Sequence, residues 1–326
     1  MRNSSYFKRW IAGAALAAGL ALLPIQCVAQ SYPGKPVKIV LSSPGGGTDV
    51  IARLFADHFT RAFGLQFIVE SRQPNVAATN YVAKAKPDGY TLLVATASYI
   101  VNTLLHQNPP YDALKDFSAV SLLGTTPIIV AIHPSLPVRS LREVISLARR
   151  NPDSLSYGSG GIGSPLHLAG ELFCQTAGIR MLHVPFKGTA NAAVDLQAGR
   201  VQLMFPSSIS VLPQVQAGRL RVLAVMSAKR VAELPDVPTT AEAGLPQLVV
   251  NIWYGMLVPQ ATPAAIVDQL HREVVNGLTG PDIRERMVSA GVVPVGNSPA
   301  EFAAFAAAER ARWAAVIKAA NIEIAP

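Results

Sequence analysis

The chain has 326 residues, of which 50% are hydrophobic and 15% charged, and its formal net charge is +8 at pH 7. This length is sufficient for two domains. The cations lie singly or in short pairs such as Arg149–Arg150, so nothing resembles the basic arm or aromatic-interleaved surface of a nucleic-acid-binding protein, and we expect no nucleic-acid partner.

The first 29 residues predict a secretory signal peptide. Arg2, Lys8 and Arg9 precede an apolar run over 10–23. The stretch that follows, "PIQCVAQ", places the small residue Ala29 directly before Gln30. A basic start, a short apolar core and a small residue before the cut are typical of such signals. We therefore expect cleavage after Ala29 and export to the periplasm.

Two properties of the mature chain follow from this cleavage. It keeps 25 Lys and Arg against 20 Asp and Glu, a net charge of about +5, which suits attraction of small anions. No later apolar run reaches the ~18 residues of a membrane span.

The alternative to this cleavage is a lipoprotein cut before Cys27, but Gln26 is larger than the residue that normally precedes a lipidated cysteine. Cys174 alone remains, which excludes an internal disulfide and favours a buried structural thiol.

Short β-rich runs alternate with helical patterns along the mature chain. Predicted strands cover 37–41, 66–70, 91–95, 128–132, 154–157, 181–184, 201–205, 220–226 and 249–257. Predicted helices cover 48–63, 76–85, 112–116, 140–150, 165–177, 189–198, 208–217, 263–278, 281–290 and 299–320. This alternation predicts an α/β fold with right-handed crossovers and largely parallel sheets.

Several helix starts carry explicit capping signals. Ser140 with Glu143, and Ser298 with Glu301, have the spacing of capping boxes, the second with proline at the first helical position. Thr262–Pro263 predicts a similar start.

Two stretches indicate where the chain passes between domains. A proline-marked change over 133–140, "HPSLPVRS", is a candidate crossing, and a return near 248–258 would leave the C-terminal helices with the first domain. The prediction is two α/β lobes joined by two strands, with a cleft between them. The expected boundaries are 1–29 for the signal, 30–132 for the first part of lobe 1, 133–250 for lobe 2, and 251–326 for the remainder of lobe 1.

Ligands of parallel α/β units bind at the carboxyl ends of strands. The first such loop, "SPGGGTD" over 43–49, joins a strand to a helix, where amide groups can face an anion. Its spacing matches neither a P-loop nor G-x-G-x-x-G, so it is either an anion-binding turn or merely a tight turn. Equivalent loops cover 96–99, 158–167 and 185–190. From these four loops the candidate ligand-binding residues are Ser43, Gly45, Gly46, Gly47, Asp49, Thr96, Ser98, Ser159, Gly160, Ser164, Phe186, Lys187, Gly188 and Thr189.

Glycine-rich loops in both lobes suit a molecule with two carboxylates, or one carboxylate and polar groups. Asp49 either holds the solute or caps amides of its helix, and Lys187 either touches an anion or is solvated. Binding by amides and hydroxyls requires no cofactor.

Catalytic and metal-binding patterns are absent from the sequence. The six histidines form no H-E-x-x-H motif, and one mature cysteine excludes thiolate metal sites. Neither Ser159 nor Ser164 lies in G-x-S-x-G, because Tyr157 and Ile162 occupy the first glycine positions. His167 lies within one turn of Ser164 and could interact with it, but packing of its helix or bracing of the loop is the favoured role. We therefore predict no enzyme and no metal site.

A family resemblance extends over nearly all of the mature chain. It rests on "YPGKPVKIV", "SPGGGTDVIAR", "AKAKPDGYTLLVAT", "YDALKDFSAVSLL", "SLSYGSGGIGSPLHLAGELF", "HVPFKGTANAAVDLQAGRVQLMF", "KRVAELPDVPTTAEAGLP" and "WYGMLVPQATP". With these stretches the chain resembles the periplasmic receptors of tripartite tricarboxylate transporters, the Bug or TctC-like family. The resemblance implies a two-lobed type II periplasmic-binding fold that closes on small carboxylates through loop amides and water. It also implies that Gly45–Gly47 expose backbone to one carboxylate.

The chain departs from the family pattern at three places. Residues 73–78 read "QPNVAA" where the family usually has a glycine-rich loop, and Phe186 replaces a common tyrosine. Pro206, followed by Ser207 and included with it in the candidate site, stands where many members carry aspartate. Loss of that acid argues against an amino-acid solute.

The resemblance implies a solute receptor that serves transporter membrane subunits, and we expect it to be a monomer. Two alternatives stay open: a ligand sensor for a signalling partner, or an exported α/β hydrolase that uses Ser164 or Ser159.

Overall fold

The computed structural model describes residues 32–41 and 46–323. Contacts divide the chain after Gly34, and both sheets lie in the second unit, Lys35–Pro326. The predicted signal peptide, its cleavage site and the alternative at Cys27 lie outside the described residues.

The first sheet contains six strands in the order β11-β4-β10-β3-β1-β2. Their bounds are β1 Val37–Leu41, β2 Phe67–Ser71, β3 Thr91–Ala95, β4 Phe117–Pro127, β10 Asn251–Pro259 and β11 Val293–Pro294. Strands β2, β1 and β3 are parallel, whereas β10 runs antiparallel to both β3 and β4. The parallel part has the apolar, β-branched composition of strands buried on both faces, as in "VKIVL" of β1.

The second sheet contains five strands in the order β7-β6-β8-β5-β9. Their bounds are β5 Ile129–Ile132, β6 Ser156–Ser159, β7 Leu182–Pro185, β8 Leu203–Met204 and β9 Arg221–Val225. Strands β7, β6 and β8 are parallel, and β5 is antiparallel to β8 and β9. The α/β prediction is confirmed, but the sheets are mixed instead of largely parallel, because β4, β5, β9, β10 and β11 pair with other strands only in antiparallel fashion. The antiparallel pairs of β5 and β10 arise where the chain passes from one sheet to the other.

Helices flank both sheets. They are α1 Gly46–Phe63, α2 Asn75–Ala83, α3 Ser98–Leu105, α4 Leu141–Arg150, α5 Pro165–Ala177, α6 Thr189–Gln197, the 3-10 helix Ile209–Val211, α7 Leu212–Gln216, α8 Ala264–Thr279, α9 Pro281–Ser289 and α10 Pro299–Ala319. In α1, Ile51, Phe55 and Phe59 recur at helical spacing and are fully buried. The following Gly64 has a φ of +68°, the left-handed geometry that ends many helices.

The chain passes between the sheets twice. Ile128 alone separates β4 in the first sheet from β5 in the second, and β10 returns to the first sheet after β9. The prediction placed residues 128–132 in lobe 1, whereas β5 pairs within the second sheet. The lobe boundaries themselves stay a prediction.

Two predicted helices differ from the structure. Residues 112–116 form a turn instead, because the Asp112 carboxylate accepts from the amides of Leu114 and Lys115. The helix predicted over 208–217 divides into a 3-10 turn and α7, with Pro213 in the first turn of α7. Helix α3 and the long strand β4 were not predicted.

The capping predictions have mixed outcomes. Ser298 and Glu301 form a complete capping box at α10. At α4, Ser140 accepts from the Glu143 amide, but the Glu143 carboxylate accepts from the amide of Arg139 instead of closing the box. The Thr262 hydroxyl donates to the Pro259 carbonyl and does not cap α8.

Candidate ligand-binding site

A cleft of about 950 Å³ lies where residues from both sheets' loops face one another. The starts of five α-helices (α1, α2, α3, α5 and α6) and of the 3-10 helix line it. These starts lie at the carboxyl ends of the strands that precede them, as expected for ligand sites of α/β folds. The first amides of an α-helix have no partner within the helix, which favours an anion there.

The structure brings together eight of the predicted site residues. In the cleft lining are Gly47, Thr96, Ser98, Gly160, Ser164, Gly188, Thr189 and Ser207. Ser43 and Gly45 lie outside the described residues, and Gly46 is the first residue of α1.

Five other predicted site residues are not in the described lining. Ser159 is fully buried, Pro206 is buried with its carbonyl accepting from the Ile129 amide, and Phe186 packs against the second sheet's core. The Asp49 carboxylate pairs with Arg53 one turn along α1, and Lys187 is exposed.

The described lining of the cleft contains no charged side chain. It combines hydroxyl and amide groups with apolar side chains such as Ile162, Ile209, Ile252 and Val292. Any charge on a solute must therefore be met by backbone amides, hydroxyls, side-chain amides and helix ends, not by an ion pair with a described lining residue. Within the described part of the chain, no group of three or more His, Cys, Asp or Glu side chains is arranged to hold a metal ion.

Hydroxyl and amide side chains cluster on the first sheet's side of the cleft. The hydroxyls of Thr96 and Ser98 are hydrogen-bonded at 3.0 Å, and both residues are buried. The amides of Tyr99 and Ile100 already bond to carbonyls of the preceding turn. The side chains of Thr96 and Ser98, with neighbouring asparagines, therefore carry the polar character of this side.

The loop over 159–164 forms the second sheet's side. The Ser164 hydroxyl accepts from the His167 amide and so caps α5, with Pro165 in the first helical turn. The Gly163 amide donates to His167 Nδ1 at 3.1 Å, which confirms that His167 braces this loop. The Gly161 amide donates to the buried Ser159 hydroxyl.

Two stacked histidines lie beneath this loop. The rings of His167 and His183 have centroids 3.7 Å apart and planes within 13°. Burial lowers the pKa of His167 to about 3 and that of His183 to about 4. The Tyr157 hydroxyl donates to the Glu171 carboxylate at 2.5 Å, and burial raises the pKa of Glu171. The two imidazoles are therefore neutral at pH 7 and serve the loop as uncharged hydrogen-bonding groups.

Comparisons with known proteins decide the family. The family model "Tripartite tricarboxylate transporter family receptor" (TctC) matches residues 51–322. The chain belongs to this receptor family.

Three relatives illustrate the receptor's similarity to other members. Protein BugT of Bordetella pertussis is 33% identical, over 89% of this chain and 90% of BugT. An R. palustris protein solved with adipate is 35% identical with a TM-score of 0.80, covering 90% of this chain and 99% of that one. MatC from Rhodopseudomonas palustris, solved with bound malate, is 29% identical with a TM-score of 0.76, covering 88% of this chain and 100% of MatC.

These similarities bear on the fold and on the absence of enzyme chemistry. Solved periplasmic binding proteins share the receptor's architecture, which confirms the two-lobed type II fold. The family and these neighbours are solute-binding proteins, so the prediction of a non-enzymatic receptor is confirmed. The Ser159 hydroxyl does lie 2.7 Å from His183 Nε2, but Ser159 is fully buried and cannot reach a solute.

The sequence did not identify several residues that line the receptor's cleft. Asn75 and Asn102 add polar groups, and Ile252 and Tyr254 come from the returning strand β10. Tyr254 lies in the quoted stretch "WYGMLVPQATP", but nothing in its local pattern distinguishes a cleft residue from a core residue.

The structure also gives a steric reason for one glycine of the loop over 43–49. A Cβ atom at Gly47 would lie 2.0 Å from the Tyr254 hydroxyl oxygen, much closer than two such atoms can approach. Packing against Tyr254 therefore requires glycine at position 47, whether or not its backbone also contacts a solute.

Cys174 agrees with its predicted structural role. It is a buried free thiol, and burial raises its pKa to about 12. A neutral, inaccessible thiol of this kind acts as a small hydrophobic side chain.

Proposed function

We propose that this receptor binds a small carboxylate, a di- or tricarboxylate or an aromatic acid, and delivers it to the membrane subunits of a tripartite tricarboxylate-type transporter. The observation that supports this most directly is the cleft itself, which has an uncharged described lining and is ringed by helix N-termini. Such a lining offers hydrogen-bond donors to an anion without a fixed cation.

The typical free energies of such contacts are consistent with reversible binding of a solute. A helix end contributes ~0.3–1 kcal/mol when exposed and up to ~2 kcal/mol when partly buried. Hydrogen bonds to a charged group contribute about 1.5–3 kcal/mol each. A few of these, after the cost of ordering the solute, reach the ~8 kcal/mol of micromolar affinity.

The apolar part of the lining favours a solute with a hydrocarbon body. Ile162, Ile209, Ile252 and Val292 line the same cleft as the polar groups, so methylene groups or a ring between carboxylates would be covered. The relatives solved with adipate and with malate support this class of solute.

An ammonium group on the solute is disfavoured. The described lining has no carboxylate to pair with it, and Pro206 stands where many family members carry aspartate. Burying an unpaired ammonium carries a large free-energy penalty.

A thermal-shift screen followed by calorimetry tests the proposal. The panel contains adipate, malate, succinate, citrate and benzoate, with aspartate and glutamate as amino counterparts. We expect at least one acid to raise the melting temperature, since a hundredfold excess over Kd adds about 2.7 kcal/mol to the free energy of unfolding. We expect aspartate to bind more weakly than succinate. If no acid of the panel binds, or if the amino acids bind best, the proposal is wrong.

We further propose that the receptor is exported and cleaved after Ala29, so that the mature chain begins at Gln30 in the periplasm. The support is the pattern of residues 1–29. Among the described residues, no helix has both the length and the hydropathy needed to cross a membrane. Intact-mass measurement of the periplasmic fraction tests the cleavage. A diacylglyceryl group on Cys27 would contradict it.

A further inference from the structure

Tyr254 occupies an unusual position in the returning strand β10. Its side chain lines the cleft although only 4% of the residue is exposed. Neighbouring residues of a strand point to opposite faces, and Trp253 accordingly packs into the core of the first sheet. Tyr254 is thus a nearly buried residue that faces the cleft from the strand joining the two lobes.

The Tyr254 hydroxyl has one hydrogen-bond partner among the described residues. The Thr126 hydroxyl, on the fully buried Thr126 of β4, donates to it at 3.4 Å. Among residues 32–41 and 46–323, no hydrogen bond uses the Tyr254 proton. A buried donor without an acceptor is unfavourable in free energy, so an acceptor supplied by a solute would satisfy it.

The same hydroxyl lies against the first turn of α1. A Cβ atom at Gly47 would come within 2.0 Å of the Tyr254 oxygen, so only glycine allows this approach. The first amides of α1 have no partner within the helix. The phenol and these amides are therefore donors at one place on the first sheet's side of the cleft.

We propose that Tyr254 determines specificity by donating its hydroxyl hydrogen bond to a carboxylate oxygen of the solute beside the start of α1, while Thr126 orients the phenol. This inference rests on the proposed function, because it assigns one recognition contact within that site. A donor hydroxyl beside helix amides matches an ionised carboxylate, which only accepts hydrogen bonds.

The test compares three substitutions by isothermal titration calorimetry with adipate, malate, succinate, citrate and benzoate. Tyr254→Phe removes the donor and keeps the ring against Gly47. Tyr81→Phe is the matched control, because it removes a tyrosine hydroxyl from the same lobe, the Tyr81 ring packs against the first sheet's core under Arg72, and Tyr81 is not in the described cleft lining. Thr126→Val removes the hydroxyl that orients the phenol and keeps the side-chain shape.

We expect Tyr254→Phe to weaken the tightest-binding acid about tenfold or more, as for loss of a hydrogen bond to a charged group. Thr126→Val should weaken it by a smaller factor, and Tyr81→Phe should bind within about twofold of wild type. Unchanged affinity in Tyr254→Phe would overturn the inference, as would an equal loss in Tyr81→Phe, which would indicate an effect of stability alone. A wild-type protein that binds none of the five acids would instead overturn the proposed function, and this inference with it.

Discussion

His167 and His183 lie stacked beneath the loop over 159–164 and hold it through neutral nitrogens. Gly163 donates to His167 Nδ1, and the Ser159 hydroxyl bonds His183 Nε2. Protonated His167 would turn its Nδ1 acceptor into a donor facing the Gly163 amide, and two imidazolium rings would meet at 3.7 Å. The shape of this side of the cleft therefore depends on both rings staying uncharged.

This dependence predicts that the receptor becomes less stable at acidic pH. Both folded-state pKa values are lowered, to about 3 and about 4, from an ordinary value of 6.5. The unfolded chain therefore binds more protons as the pH falls below 6.5, and the free energy of unfolding decreases down to about pH 3. We expect a loss of about 1–3 kcal/mol between pH 6.5 and 5, each proton contributing at most ~1.4 kcal/mol per pH unit. Glu171, whose pKa burial raises, acts in the opposite direction and offsets part of this loss.

Urea denaturation at several pH values measures the effect. The comparison protein carries His167→Gln and His183→Gln, which keep a hydrogen-bonding oxygen at each site and do not titrate. Its free energy of unfolding should fall less steeply over the same pH range. Equal slopes in the two proteins would show that the stacked pair does not carry the acid sensitivity.

Helix α10 connects the two cores. Its first half contributes Phe302 and Ala306 to the first sheet's core, and its second half contributes Trp313 and Val316 to the second. Between these halves, the buried carboxylate of Glu309 accepts from the indole nitrogens of Trp253 at 2.9 Å and Trp313 at 2.8 Å. One carboxylate oxygen thus joins a tryptophan of each core.

Loss of this carboxylate should destabilise the receptor. Glu309→Ala leaves two buried indole N–H groups without an acceptor and creates a cavity, so we expect a loss of about 2–4 kcal/mol in the free energy of unfolding. Glu309→Gln keeps an acceptor oxygen and should cost less. The exposed Arg310 on the same helix provides the control, and Arg310→Ala should change stability by less than about 0.5 kcal/mol. Denaturant unfolding followed by tryptophan fluorescence measures all three, and similar stability of Glu309→Ala and wild type would contradict the proposed link.

Local patterns predicted those elements whose packing follows from their own sequence. The period of Ile51, Phe55 and Phe59 and the capping box of α10 needed no tertiary information. Strand β4 was missed because Ser121 and Gly124 interrupt its apolar pattern, and each is explained only by distant partners: Ser121 donates to the Asn297 carbonyl, and a side chain at Gly124 would meet Val292.

The sequence likewise predicted part of the candidate site. The carboxyl-end rule located the loops of both lobes from strand and helix order alone, and Thr96, Ser98, Ser164 and Thr189 do face the cleft. Tyr254 could not be found in this way, since its position depends on how β10 returns between the lobes.

The cleft combines two halves, each with only part of the contacts to a solute. Thr96 and Ser98 belong to one lobe, and Gly160, Ser164 and Thr189 to the other. A dicarboxylate that contacts both halves gains its full set of contacts only when they approach, so binding should favour a closed form.

Small-angle scattering tests this closure. We expect the radius of gyration to decrease when the receptor is saturated with the tightest-binding dicarboxylate of the panel, as verified by calorimetry on the same sample. Acetate is the matched control, because its single carboxylate is too short to contact both halves, and it should leave the scattering unchanged. An unchanged radius of gyration at saturation would mean that one lobe holds the solute alone. The helix starts of the other lobe would then need a different explanation.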